Sequence, residues 1–294
     1  MDLDAALIAC RWLHYVAAMS LFGTSAFLEV LVPTGLAKEI ERRLSPLLVA
    51  AIGLAAATTL LWLPLEAGEI GEGWSDVFDL DMVSSVLTDS SFGHVWQWRL
   101  AIAGGLILLP ALWAGYRWSM AVVFSGLLLA SLAFVGHGAM QEGIIGALHR
   151  GNHIIHLLSA AAWLGALVPL VPCIATLRDP ALQHAASLAL RRFSTVGHAA
   201  VALVVMTGAA NTALILGRWP TDWSSPYQAL LAAKIGCVAM MILVALVNRY
   251  VIVARMKAAP ETSKRYLVAG AMAELLLGAA VLALVSVFGT FEPA

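Results

Sequence analysis

Two matching stretches, RWLHYVAAMSLFG at residues 11–23 and HIIHLLSAAAWLG at residues 153–165, decide how this chain folds. Aligned without gaps, they share three residues, which pair His14 with His156, Ala18 with Ala160 and Gly23 with Gly165. An ionisable side chain inside an apolar membrane helix is costly and is therefore a functional candidate. Equivalent histidines in two copies of a repeat predict one site at the interface between the copies.

Most of the chain is too apolar for a soluble domain. Its 294 residues are 61% hydrophobic and 12% charged, with a mean hydropathy of +0.87, whereas a soluble domain carries about 25% charged residues. A membrane span needs about 20 apolar residues. Eight segments qualify, near residues 5–32, 44–65, 97–115, 118–137, 152–173, 193–217, 228–249 and 265–289. We therefore predict an all-α polytopic membrane protein with eight transmembrane helices.

The residues outside these segments are few, which limits the classes of function. They contain no Gly-rich loop of the P-loop kind and no segment long enough for an ATP-binding domain, which argues against an ATP-driven pump. We expect a transport or binding protein in contact with membrane lipid, rather than an enzyme, and no nucleic-acid partner.

The basic residues predict the orientation. Twelve of the seventeen lie in or beside loops on one side, which should be cytoplasmic; they are Lys38, Arg42, Arg43, Arg117, Arg178, Arg191, Arg192, Arg249, Arg255, Lys257, Lys264 and Arg265. Both termini then face the periplasm. The outer loop 66–96 holds seven of the eighteen acidic residues. It is either a solvated loop or an electrostatic funnel that concentrates cations or docks a basic partner.

The order of the spans predicts two four-helix repeats, residues 1–142 and 143–294. Arg99 lies near the outer end of the third span, and Lys234 lies near the outer end of the seventh. Because four spans are an even number, the two copies share one orientation. They would be related by a pseudo-twofold axis along the membrane normal.

Histidines predict a metal site at the outer side of this bundle. His149, His153 and His156 have the spacing i, i+4, i+7, which puts them on one helix face. Imidazole suits copper, zinc, iron and nickel, and thioether sulfur favours Cu(I). The predicted ligand set is His14, His137, His149, His153, His156 and Met140. Spacing alone does not select copper over zinc, and each histidine is alternatively a hydrogen-bond donor in helix packing.

Three further polar or soft residues inside spans are candidates for an inward relay. They are Met206, Asn211 and Glu274. Glu274 lies deep in the eighth span and is a candidate proton or cation relay, because a buried ionisable group in a membrane needs a partner or a function.

Several motifs in order resemble the CopD family of bacterial copper-resistance membrane proteins. The resemblance covers residues 152–253 and rests on His156 with Trp163-Leu164-Gly165, Arg191-Arg192-Phe193-Ser194, Thr207-Gly208-Ala209-Ala210-Asn211, Lys234, and Asn248-Arg249. It implies an inner-membrane protein that imports periplasmic copper beside a separate CopC-like periplasmic copper carrier. Where the family pattern has an acidic residue three positions before the span-5 histidine, this chain has His153.

The predicted function is therefore inner-membrane copper transport, with import through a histidine-lined site between the repeats. Two alternatives remain open. His14 and His156 are also a possible axial pair for haem b in a membrane electron carrier, and a non-transporting copper platform for a CopC-like partner would bind metal without flux. The sequence leaves open the oxidation state of the copper, the direction of transport and the oligomeric state.

Overall fold

A computed structural model describes residues 2–112 and 117–291 of the protein, and in those residues every regular element is a helix. The α-helices are α1 Leu3–Ala26, α2 Thr34–Ile70, α3 Trp74–Val77, α4 Leu80–Asp89, α5 Ser91–Leu112, α6 Arg117–Ala130, α7 Gly143–Ala175, α8 Gln183–Leu216, α9 Pro226–Val247 and α10 Pro260–Phe288. The prediction of an all-α membrane protein is confirmed.

Seven helical segments of the described residues are long and apolar enough to cross a membrane. They are Leu3–Leu31, Thr34–Ile70, Arg117–Phe134, Gly143–Arg178, Gln183–Leu216, Pro226–Arg255 and Pro260–Phe288. The predicted span near 97–115 corresponds to α5, which packs between α2 and α6 and is not among the seven. The count of eight and the repeat arrangement therefore stay predictions.

Several helices extend beyond the predicted apolar spans. Helix α2 begins ten residues before the segment 44–65, and its charged start carries Glu39 paired with Arg42 and Arg43 at 2.9 and 2.8 Å. Pairs at i, i+3 and i, i+4 stabilise a helix in water. Hydropathy locates only the lipid-soluble part of such a helix, which explains the difference.

The acidic segment 66–96, predicted to be an outer loop, is largely helical. Helices α3 and α4 lie within it, and α4 packs against α5 and α2. The carboxylate of Asp79 caps α4 by accepting from the backbone N–H groups of Asp81 and Met82, at 2.9 and 3.3 Å. The acidic residue at this position is thus structural.

The two matching stretches meet at the centre of the bundle. Helix α1 packs against α2, α6, α7 and α10, and α7 packs against α1, α8 and α10. Where α1 crosses α7, a Cβ atom on Gly23 would overlap the backbone of Gly165, and one on Gly165 would overlap the carbonyl of Met19. Small residues at a membrane helix crossing allow close backbone contact. The shared glycine of the two stretches is therefore a packing requirement.

Two of the helices continue into a π turn at their predicted inner ends. Helix α1 runs into Phe27–Leu31, and α9 runs into Asn248–Ile252. π turns are rare in proteins, and those that do occur are often found at functional sites.

Replacing Gly23 by alanine should destabilise the protein, because the added methyl group forces α1 away from α7. We expect the free energy of unfolding to fall by about 1–3 kcal/mol, the usual cost of overpacking, measured by thermal unfolding in detergent micelles. Gly53→Ala in α2 is the matched control, because a Cβ there meets no atom within 4 Å. Equal stability of the two variants would contradict the crossing.

Candidate metal site

A cavity of about 260 Å³ lies among α1, α2, α7, α8, α9 and α10. Its wall is mainly apolar and aromatic, and the polar or charged side chains that line it include Arg11, Glu66, His153, His156, Asn211 and Lys234. An apolar pocket with a few convergent polar groups is the expected form of a binding site. Two of the predicted ligands, His153 and His156, are among its lining residues.

His156 presents a usable ligand nitrogen. Its Nδ1 lies 3.0 Å from the hydroxyl of Thr207, and that hydroxyl donates to the carbonyl of Leu203 at 2.5 Å. The hydroxyl oxygen therefore accepts from Nδ1–H, which leaves the lone pair on Nε2. Within the described residues, no hydrogen bond engages Nε2. A histidine whose other nitrogen is oriented in this way is the arrangement that metal sites use.

The glycine beside His156 makes room for its ring. A Cβ on Gly208 of α8 would lie 3.3 Å from Cε1 of the imidazole. The pair Thr207-Gly208 therefore serves one side chain: the first residue orients the ring and the second allows α8 to approach it.

His153 is held by an amide. Asn152 donates to Oδ1 of Asn211 at 2.8 Å, so the amide nitrogen of Asn211 points to Nδ1 of His153, 3.2 Å away. The His153 and His156 rings are 6.4 Å apart at an interplanar angle of 21°. A metal can bind Nδ1 of His153 only after the Asn211 amide turns away. Asn211 therefore controls access to this nitrogen and is part of the site.

Three more of the predicted ligands, His149, Met140 and His137, have different surroundings. His149 is fully buried, donates from Nδ1 to Gln141 at 2.5 Å and has no hydrogen-bond partner for Nε2 among the described residues. Its ring is 6.4 Å from that of His153, so the three histidines of α7 form a row. Met140 is half exposed. The side chain of His137 lies outside the described residues.

His14 is engaged on both nitrogens and does not line the cavity. A guanidinium group can only donate, so Nε2 of His14 accepts from Arg99 at 2.7 Å, and Nδ1–H donates to the hydroxyl of Thr58 at 2.9 Å. His14 and His156 thus both bond a threonine of the following helix. They differ at Nε2, which is occupied in His14 and unengaged in His156.

Arg99 is the buried charge that sequence reasoning treated as a helix-end residue. Its side chain is fully buried and donates to the carbonyl of Leu128 at 3.0 Å and to the hydroxyl of Ser131 at 2.6 Å. Its Cζ also lies 4.5 Å from the ring centre of Trp96. No carboxylate of the described residues lies within 4 Å of it. Trp96, three residues earlier on the same helix, was the available signal for a cation–π contact.

Lys234, the predicted counterpart of Arg99, has a different environment. It lines the cavity, and its Nζ lies 5.6 Å above the ring of Phe288. Its ammonium therefore shares the cavity with His153 and His156.

The three predicted relay residues have different surroundings. Asn211 lies at the cavity, and Glu274 is buried behind it, with its carboxylate bonded to Trp163 and Asn248 at 3.3 and 3.2 Å. Met206 is 60% exposed on the outward face of α8. In the part of the chain that the structure describes, no three His, Cys, Asp or Glu side chains converge as a closed metal cage.

Removing His14 should cost stability, since it leaves the buried Arg99 without one acceptor. We expect His14→Ala to lower the free energy of unfolding by about 1–3 kcal/mol, the cost of an unsatisfied buried group, in thermal unfolding in detergent. His156→Ala should cost less, because Thr207 keeps its bond to Leu203. The reverse order of the two losses would contradict the distinct environments of the two rings.

Comparison with known proteins gives a consistent result. The family model described as copper resistance protein D-like, N-terminal domain, matches residues 1–147, and the model described as copper resistance protein D matches residues 187–288. The motif resemblance over 152–253 thus overlaps the second match from residue 187 onward. No solved structure matches the chain significantly.

Three curated proteins are similar to the chain. Inner membrane protein YebZ of Escherichia coli (strain K12) is 32% identical over 97% of this chain and 98% of its own length. Copper resistance protein D of Pseudomonas syringae pv. tomato is 30% identical, over 99% and 97% respectively. Copper transport protein CutJ of Bacillus subtilis (strain 168) is 27% identical over 79% of this chain and 44% of its own length. The chain belongs to the copper resistance protein D family.

Proposed function

We propose that this protein is a copper transporter of the bacterial inner membrane, which takes periplasmic copper into the cavity and passes it inward. The names of its relatives support the setting, because they include an inner membrane protein, a copper resistance protein and a copper transport protein. Copper is the cargo in this proposal and not a resident cofactor.

The observation that carries the proposal is the orientation of His156. Thr207 holds Nδ1–H, so the Nε2 lone pair is left for a metal at the cavity. His153 lies beside it under the control of Asn211. Two imidazoles form an incomplete ligand set, which suits a transported ion because a site that binds too tightly does not release its ion.

The outer part of the path would use the remaining side chains of the predicted set. His149, with an unpartnered Nε2, and the half-exposed Met140 lie on the outer side of His153, and we assign His137 to the same region. Farther inward, Asn211 and then Glu274 are the proposed relay. His14 could bind copper only if Arg99 gave up its hydrogen bond to Nε2 of the imidazole. Met206 could bind copper only if α8 rotated and turned its exposed side chain inward.

We infer eight spans in two parallel repeats, with both termini in the periplasm. Helix α5 has 22 residues, about 33 Å at about 1.5 Å per residue, against a hydrocarbon core of about 30 Å. The crossing of Gly23 and Gly165 and the two histidine–threonine pairs support equivalent roles for α1 and α7. The uneven distribution of basic residues supports the orientation.

The two alternatives make different demands. A haem held by two histidines needs both axial nitrogens on one cofactor, whereas the His14 Nε2 bonds Arg99 and His14 lies outside the cavity wall. A platform for a CopC-like carrier would use the acidic outer segment with α3 and α4, and would bind copper without moving it.

The first test is copper binding and absorbance of the purified protein in detergent. We expect stoichiometric copper, no Soret band, and at least a tenfold loss of affinity in a His153→Ala/His156→Ala variant. His198→Ala is the matched control, since His198 is exposed and bonds Ser194 and Tyr250 instead.

The other outcomes separate the alternatives. A Soret band lost in the double variant would replace the transporter by a cytochrome. Copper binding without uptake into proteoliposomes would replace it by a platform. Undiminished copper in the double variant would move the site outward to His149, Met140 and His137.

A further inference from the structure

We propose that Glu274 is a proton-exchange site, and that each Cu(I) ion passing inward from the cavity displaces one proton from its carboxyl group. The inference rests on the proposed transport function and adds to it the ion that moves in the opposite direction.

The carboxyl group of Glu274 is enclosed and has only neutral partners. Glu274 as a whole is only 3% exposed. The indole N–H of Trp163 donates to Oε2 at 3.3 Å, and the amide of Asn248 donates to Oε1 at 3.2 Å. An isolated carboxylate in a low-dielectric interior is strongly unfavourable and takes up a proton instead. Two long neutral hydrogen bonds do not replace an opposite charge.

The charged groups on the elements that pack against α10 lie elsewhere. Lys234 on α9 lies over Phe288, and Arg11 on α1 packs beside Gly289. Those two positions are 14 and 15 residues from Glu274 along α10, about 21 Å or more at about 1.5 Å per residue.

The titratable groups nearer to Glu274 do not pair with it either. On α7, His156 bonds Thr207, and in the π turn Arg249 is exposed, whereas Glu261, Lys264 and Arg265 lie at the start of α10. No ion pair within 4 Å reaches Glu274 among the described residues. In this proposal, the carboxyl group of Glu274 carries a proton whenever no copper ion lies beside it.

The two groups that donate hydrogen bonds to Glu274 lie in different environments. Trp163 lines the cavity on one side and bonds Oε2 on the other. Asn248 begins the π turn at the inner end of α9 and is partly exposed. A Cβ on Gly270, one helical turn before Glu274, would overlap the Asn248 side chain. The contact between α10 and the π turn is thus built around this amide.

At Glu274, a copper ion and the carboxyl proton exclude each other. A copper ion that passes Trp163 supplies the positive charge that an ionised Glu274 lacks, and the carboxyl proton leaves through the cavity to the outer side. When the copper leaves on the inner side, the carboxylate takes up a proton from that side. With Cu(I), one positive charge moves in each direction, so the exchange is electrically neutral.

The test measures copper and protons together in proteoliposomes. The wild-type protein is reconstituted with a pH-sensitive dye inside, Cu(I) is added outside in excess ascorbate, and valinomycin with potassium holds the membrane potential at zero. We expect copper uptake with internal alkalinisation of about one proton per copper ion. Glu274→Gln should keep copper binding at the cavity and should lower the number of protons that move for each copper ion that still enters. Glu274→Asp, which retains a titratable group, should restore part of that ratio.

The matched control is Glu29→Gln, since Glu29 is a carboxylate on the first span that is exposed and bonds Ser119 at 2.7 Å. It should keep the wild-type ratio of protons to copper. Wild-type copper uptake without proton movement, or an unchanged ratio in Glu274→Gln, overturns the inference and leaves transport intact. An absence of wild-type copper uptake overturns the proposed transport and this inference with it.

Discussion

The close contact between the backbones of α1 and α7 is the constraint on which the rest of the bundle depends. Lipid tails are as apolar as helix side chains, so membrane helices associate by tight packing and not by exclusion from water. Gly23 and Gly165 remove the two side chains that would hold the helices apart. Helices α2 and α8 then lie beside α1 and α7, each with a threonine within reach of a histidine.

The two halves of the protein differ chemically because the cations Arg99 and Lys234 have different surroundings. Arg99 has no carboxylate within reach and is stabilised by a carbonyl, a hydroxyl, an aromatic face and His14. The imidazole of His14 is thereby committed to the guanidinium group. Lys234 remains at the cavity instead, and His156 keeps an unengaged nitrogen there. A pair of histidines that is equivalent in sequence is therefore one structural residue and one candidate ligand.

Part of this arrangement could be predicted from the residues. The i, i+4, i+7 spacing of the three histidines predicted a shared face, and their rings do form a row along α7. The alignment pairs Gly23 with Gly165, but only the structure shows that the two glycines meet where α1 crosses α7. Hydropathy predicted the spans but missed the charged start of α2 and the helices α3 and α4, because salt bridges and capping carboxylates stabilise those parts in water.

The residues alone identify a helical membrane protein of the copper resistance protein D family, with a row of histidines on one helix. Composition, helical periodicity and ordered motifs carry that information because each is local along the chain. Which nitrogen of which histidine is available depends on the packing of the helices, because the hydrogen bonds to Arg99 and Thr207 come from other helices. The position of Glu274 between the cavity wall and the π turn was decided in the same way, by contacts that join residues more than twenty positions apart.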